Sequence, residues 1–298
     1  MQRVLLIVCV SLGAGVAAPA GAAQLTSSRC GESVLLRVSN ETPPQGGVLV
    51  VEVRSDTPLD RVEGFYEGDE VFFWHGADAR VYQALLGIDL HQSPGDTSIR
   101  VRAALLSGSD VECRIGLRVV DGGFPVQRLR VAPKYVELSA DDLARSQREQ
   151  RELNNLFDSA TPERMWREGF RHPVPGFPAS GSFGKRRVFN DQPRSPHSGE
   201  DFSAPAGTPI EAPARARVVL AKELFFLGNT VVLDHGFGLY SFFGHLSQLD
   251  VSAGTLVEAG TTIGKVGATG RATGAHLHWG VRLGDKRVNP MDLLALGP

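Results

Sequence analysis

The chain has 298 residues, 42% of them hydrophobic, with 31 Lys and Arg against 33 Asp and Glu and a formal net charge of −2. That length accommodates about two domains. The near-neutral balance leaves no electrostatic footprint for nucleic acid and argues against capture of a charged polymer by basicity alone.

Residues 1–23 begin Met1-Gln2-Arg3, continue in the apolar run Val4 to Val10 and end in a Gly/Ala-rich tail. These are the three regions of a secretory signal, with cleavage expected after Ala23. The apolar run is short for a membrane span, so the expectation is an exported protein, periplasmic or extracellular at the cell wall, with no transmembrane segment once the signal is removed. Cleavage takes Cys9 and leaves Cys30 and Cys113. Two cysteines in an oxidising compartment predict one disulfide between them.

Residues 24–131 contain short apolar runs, Ser33 to Val38, Gly47 to Val53, Ser98 to Ala103 and Cys113 to Val119, separated by breakers such as Thr42 to Gly47 and Ser93 to Asp96. Alternation and β-branching favour strands. The pattern predicts an immunoglobulin-like β-sandwich in which a Cys30 to Cys113 bridge ties the first strand to a late one. His75 and His91 read as surface or loop residues, and Phe72, Phe73 and Trp74 as core in preference to an exposed contact patch.

A helical linker is expected over 132–170. Ser139-Ala-Asp-Asp142 has the form of a capping box, and Leu143 to Phe157 contains no Gly or Pro. Leu143, Leu153, Leu156 and Phe157 form its candidate apolar stripe. The Pro-rich stretch Arg171 to Pro178 then opens a second module, 171–298, read as a compact antiparallel β fold. Thr230 to Leu233 and Leu239 to Phe243 flank Asp234-His-Gly-Phe-Gly238 as a hairpin, which makes His235 a turn residue. The fold class is therefore mainly β, with two β modules joined by a helical linker.

Five of the eight histidines lie between residues 197 and 278. Two short patterns hold four of the chemically useful groups: His197-Ser-Gly-Glu-Asp201 and His276-Leu-His278, with His245 between them in Phe-Gly-His-Leu. In an extended strand alternate side chains share a face, so His276 and His278 point one way while Leu277 and Trp279 point the other. A catalytic zinc takes three N or O ligands and leaves a fourth position for water. Two imidazoles and one carboxylate meet that need and leave the metal positive enough to acidify water. Strand parity alone leaves open which of His276 and His278 is the ligand. The Gly-rich segments are read as tight turns, since no Gly-Lys-Ser/Thr follows to make a phosphate loop.

The stretch Ser195 to Asp201, the run Gly228 to Leu246 and the segment Gly270 to Gly280, in this order, closely resemble the lysostaphin/LytM-type zinc metallopeptidases over roughly residues 180–296. The resemblance implies that His197, Asp201 and His278 are the zinc ligands and that His245 and His276 are the catalytic pair. It implies a peptidoglycan endopeptidase that cuts a cross-bridge or a stem-peptide cross-link. Ser180 to Asn190 resembles the start of the family's substrate groove, which makes Arg187 and Asn190 candidates for substrate contact, with a plain surface role as the equal alternative; Tyr240 is a third candidate, with hairpin packing as its preferred reading. Two competing readings are a non-enzymatic LytM-type regulator of wall amidases, disfavoured by the complete ligand set, and a D-Ala-D-Ala metallopeptidase, matched less well by His-x-His. The N-terminal module carries no catalytic signature and is expected to position the enzyme, bind a regulatory protein partner or shield the cleft.

Overall fold

A computed structural model of the chain describes residues 26–76 and 78–296. The expected signal and its cleavage site lie outside the described residues.

The N-terminal module holds strands β1 (Thr26–Cys30), β2 (Val34–Val38), β3 (Val48–Ser55), β4 (Leu59–Tyr66), β5 (Asp69–Val71), β6 (Phe73–His75), β7 (Val81–Gly87), β8 (Gly95–Leu105) and β9 (Asp110–Val119). They form a five-stranded sheet, β1-β2-β3-β7-β6, and a four-stranded sheet, β5-β4-β8-β9. Period-two alternation drives the arrangement: Cys113, Ile115, Leu117 and Val119 on β9 are buried, with exposed residues between them. Their apolar face meets Leu36, Val51, Val53 and Ala84 of the other sheet in one core, each large aliphatic group contributing roughly 1.5–3 kcal/mol. Cys30 and Cys113 are disulfide-bonded with their Cα atoms 5.4 Å apart, linking β1 to β9 across the two sheets.

The chain leaves the sandwich through β10 (Val126–Leu129), which pairs in parallel with β11 (Arg186–Phe189) of the second module. Helix α1 (Ala140–Phe157) follows, and the Ser139 side chain caps it by accepting from the Asp142 backbone N–H. Leu153, Leu156 and Phe157 pack onto the second module, whereas Leu143 is exposed. At about 100° per residue, Leu143 lies roughly 90° from the centre of that stripe, which removes it from the apolar face expected of it.

The remaining elements are β12 (Gln192–Pro193), β13 (Gly199–Phe202), β14 (Pro209–Glu211), β15 (Ala216–Leu224), β16 (Gly228–Gly236), β17 (Leu239–Leu246), β18 (Gln248–Leu249), β19 (Leu256–Val257), β20 (Thr262–Lys265), β21 (Leu277–Leu283), β22 (Lys286–Val288) and α2 (Pro290–Ala295). The principal sheet runs β13-β21-β17-β16-β15-β19, with β22 beside β21. Val231, Leu233, Phe243, Trp279 and Val281 fill the core on one face. Val48 and Leu85 of the sandwich enter the same core, and the Trp74 ring stands edge-on to Trp166 at 5.5 Å. Trp74 therefore packs between the modules rather than inside the sandwich.

The β16–β17 hairpin forms as the pattern predicts, but His235 is not in its turn. It lies within β16, fully buried, with Nδ1 3.2 Å from Arg215 O and Nε2 2.9 Å from Ser241 Oγ. The turn is Phe237-Gly238, two residues later, with φ of +49° and +74°.

Candidate metal centre and cleft

The face of the principal sheet opposite its core carries the cluster expected from the sequence. On β21, Leu277, Trp279 and Val281 enter the core, so His278 faces the other way. Asp201 on β13 is the direct cross-strand partner of His278. Antiparallel partners share a face. His197 enters from the segment just before β13, with its backbone N–H on Lys185 O at 3.0 Å and its own carbonyl accepting from Gly184 N at 2.8 Å.

Three ligand atoms converge: His197 Nε2 lies 2.9 Å from His278 Nδ1 and 3.2 Å from Asp201 Oδ1, and His278 Nδ1 lies 2.9 Å from the same oxygen. Ligands about 2.0–2.1 Å from a tetrahedral zinc stand roughly 3.3 Å apart, so the spacing is close to that of three corners of such a site. The tautomers agree with it. His197 Nδ1 is 3.1 Å from the Ser182 carbonyl, which can only accept, so the proton resides on Nδ1 and Nε2 presents a lone pair. At most one proton, on His278 Nδ1, is then available to three acceptor atoms. A divalent cation resolves that shortage, and the residues present fit one.

Electrostatics point the same way. Burial pushes the His197 imidazole down to about 4 against the opposing pull of Asp201, keeping it neutral as a ligand must be. Burial opposes ionisation of Asp201, but its contacts with His197 and His278 outweigh this and hold the carboxyl well below the ordinary range. The second carboxylate oxygen accepts from Arg187 Nη2 at 3.2 Å.

His245 and His276 stand beside these three residues with their ring centroids 4.7 Å apart, and His276 Nε2 is 3.9 Å from Asp201 Oδ1. Each is oriented by a backbone carbonyl, His245 Nδ1 by Thr269 O at 2.8 Å and His276 Nδ1 by Gly274 O at 2.9 Å. Both therefore present an unprotonated Nε2 when neutral. His245 adopts φ +67°, an unfavourable backbone for a residue with a Cβ, at the end of β17. Burial, reinforced by His278 and His276, pushes its imidazole down to about 3.

Glu200 lies outside the set that the sequence singled out. Parity turns it away from Asp201, and its buried carboxylate accepts from Ser180 Oγ, from the Ser182 and Phe183 backbone N–H groups, and from Ser182 Oγ, at 2.8–3.1 Å. Ser182 in turn holds His197 through its carbonyl and accepts from the Asp201 N–H through its hydroxyl. One residue thus organises the loop that orients two of the candidate ligands. The only sequence signal was its place beside Asp201.

The substrate-contact candidates separate. Arg187 reaches the centre, as above. Asn190 is committed elsewhere: its side chain accepts from Val131 N at 3.1 Å and donates to Val131 O at 3.0 Å. Tyr240 is 1% exposed, its hydroxyl bonded to Ser159 and its ring 5.4 Å from Phe157. α1 covers it, so it packs under the helix and does not line an open groove. Leu153 and Phe157 of α1, together with His91 of the sandwich, border a cavity of about 390 Å³ that also contains His197, His245 and His278. His91, expected to be incidental, thus sits at the rim of the cleft.

The sequence pattern of Peptidase family M23 matches residues 195–290, a span that contains all five of these His and Asp residues. A DD-carboxypeptidase/endopeptidase Mpg of Neisseria meningitidis serogroup B is 38% identical over 97 residues, covering 33% of this chain and 22% of the relative. Peptidoglycan DD-endopeptidase ShyA of Vibrio cholerae serotype O1 is 37% identical over 123 residues, covering 41% of this chain and 29% of the relative. The chain thus spans less than a third of the length of these curated relatives. A crystal structure from Pseudomonas aeruginosa described as a peptidase M23 superposes with a TM-score of 0.64 at 34% identity, covering 85% of this chain and 94% of that one. Because that agreement runs through the sandwich and the linker as well as the sheet that carries the histidines, the chain belongs to peptidase family M23.

Proposed function

We propose that this chain is a zinc-dependent endopeptidase that hydrolyses peptide bonds in bacterial peptidoglycan, acting outside the cytoplasmic membrane. The observation that carries the reading is the convergence of His197 Nε2, Asp201 Oδ1 and His278 Nδ1 on one point, short of protons, with two further imidazoles alongside. Zinc held by these three residues would supply Lewis acidity for activating water and polarising the scissile carbonyl. His245 and His276 present unprotonated Nε2 atoms beside the same centre, placed to orient the attacking water, take up its proton and steady the developing oxyanion. Arg187 orients Asp201 through the second carboxylate oxygen. The peptidoglycan substrate rests on the named activity of the Vibrio relative, a peptidoglycan DD-endopeptidase, and the endopeptidase chemistry on the name of the Neisseria relative as well.

The test is mass analysis of purified peptidoglycan incubated with the zinc-loaded protein. New amino and carboxyl termini at cross-links are expected. Loss of a terminal residue alone would indicate a carboxypeptidase, and intact material with zinc bound would favour the amidase-regulator reading.

A further inference from the structure

The cavity beside the metal centre has an unusual wall. Arg187, Arg194 and Arg271 all line it. Among the described residues the one carboxylate paired with any of the three is Asp201, 3.2 Å from Arg187 Nη2, and that carboxylate already belongs to the ligand set. Arg194 is anchored through neutral acceptors, Val136 O at 3.0 Å, Gln192 Oε1 at 2.7 Å and Pro193 O at 3.2 Å. Arg271 makes no side-chain hydrogen bond among the described residues. It is held by ring faces alone, its Cζ 4.4 Å from the Phe226 centroid and 4.9 Å from that of Phe189. Arg187 shares the Phe189 ring, its Cζ 5.7 Å from the same centroid, so the two guanidinium groups are neighbours across one aromatic side chain.

Such an arrangement opposes folding. Burial and the nearby charges of Arg187 and Arg194 depress the Arg271 guanidinium to about 10. Like charges gathered around a single carboxylate, which pairs with Arg187 alone, repel, and the partly desolvated Arg271 guanidinium has no protein acceptor among the described residues. Stacking on Phe189 and Phe226 holds the group in place while leaving its in-plane N–H donors free. A bound divalent metal would raise the local positive charge further. Fixed, stacked arginines with unused donors are the geometry that receives a carboxylate.

We propose that Arg271, with Arg194 and Arg187, forms an anion subsite beside the metal centre that receives a free carboxylate of a cross-linked stem peptide. The inference rests on the peptidoglycan-hydrolase reading and narrows it: a stem-peptide cross-link bearing free carboxylates is favoured over an amidated one and over an uncharged glycine bridge. Arg282 and Arg287, which also line the cavity, are not part of it. Arg282 Nη1 donates to Asp285 O at 2.7 Å and Arg287 Nη1 pairs with Asp89 Oδ2 at 3.4 Å.

The full chain, zinc-loaded, is tested on a cross-linked peptide dimer with free carboxylates and on the same dimer with those carboxylates amidated. Binding of the corresponding uncross-linked acid and amide peptides is measured in parallel by calorimetry. The wild type is expected to prefer the acid by ~10-fold or more in kcat/KM and in affinity, the scale of a charge-assisted contact. Arg271→Gln brings both ratios toward one with zinc content unaltered, and Arg271→Lys retains a larger share of the preference. Arg194→Gln, at a half-buried position, reduces the preference in the same direction and serves if the Arg271 variants fold poorly. Equal cutting of acid and amide by the wild type would overturn the subsite and leave the hydrolase reading intact. Acid-selective binding that depends on Arg271, with no cleavage of either dimer, would sustain the subsite and overturn the hydrolase reading. An acid preference unchanged in Arg271→Gln and Arg194→Gln overturns the assignment to these residues.

Discussion

Asp201 Oδ1 and His278 Nδ1 stand 2.9 Å apart because the two residues face one another as cross-strand partners on β13 and β21. The candidate ligand pair is built into the sheet register, and a one-residue slip of either strand would turn its own member of the pair into the core.

On the proposed division of roles, metal binding and proton transfer separate by residue. His278→Ala is expected to lose zinc and activity together. His245→Ala is expected to retain zinc, measured by atomic absorption, while hydrolysis falls by about 10²–10⁴-fold. Loss of zinc from both variants would mean that His245 is also a ligand.

The His278 ring occupies space that only a glycine leaves. A Cβ on Gly199 would stand 2.6 Å from His278 Cε1 and 2.7 Å from the Trp279 carbonyl. Gly199→Ala should displace that ring and weaken zinc affinity by about 10–100-fold, the usual cost of disturbing a ligand's support. Competition with a chelator measures it, and an affinity equal to wild type would show that the ring has room to move.

Glu200 acts through Ser182 on His197 and Asp201. Glu200→Gln replaces an acceptor of four hydrogen bonds with an amide that must turn one end of itself as a donor toward other donors, at about 1–3 kcal/mol. Zinc affinity and melting temperature should fall together. A variant that loses stability while binding zinc as tightly as wild type would limit Glu200 to a structural role.

His235 sets an acid limit on stability. Burial holds it at about 4, against an ordinary value near 6.5. The unfolded chain therefore binds the proton first, and stability falls as pH drops from about 6.5 toward 4, by on the order of 3 kcal/mol. Chemical denaturation across that window measures the slope. His235→Asn should be less stable at neutral pH yet lose less on acidification; identical slopes would place the acid sensitivity elsewhere.

α1 lies over the sheet face that carries His278, with Leu153 and Phe157 bordering the cleft. Leu153→Asp should loosen this contact and raise the rate of wall hydrolysis several-fold at a small cost in stability. An unchanged rate, with the helix shown by hydrogen exchange to be loosened, would show that substrate reaches the metal without helix movement.

Period-two alternation, turn residues and a capping serine were enough to read a mainly β chain with a helix from Ser139 onward, because those signals are local and act along one stretch of backbone. The shared face of His276 and His278 was legible for the same reason. Which of the two imidazoles meets Asp201 was not, since it follows from the β13–β21 register and not from spacing along the chain. His235 looked like a turn residue because the Gly-rich sequence around it could place the bend at several positions, and burial against Arg215 and Ser241 selected one. Leu143 looked apolar enough to dock, but the helix docks by angle as well as composition. The buried Glu200 network, the cover that α1 places over Tyr240 and the meeting of Arg187, Arg194 and Arg271 join residues from separate strands, loops and the linker. Only packing in three dimensions brings such groups together, and there the tertiary structure decided what surrounds the metal centre that the sequence had already marked.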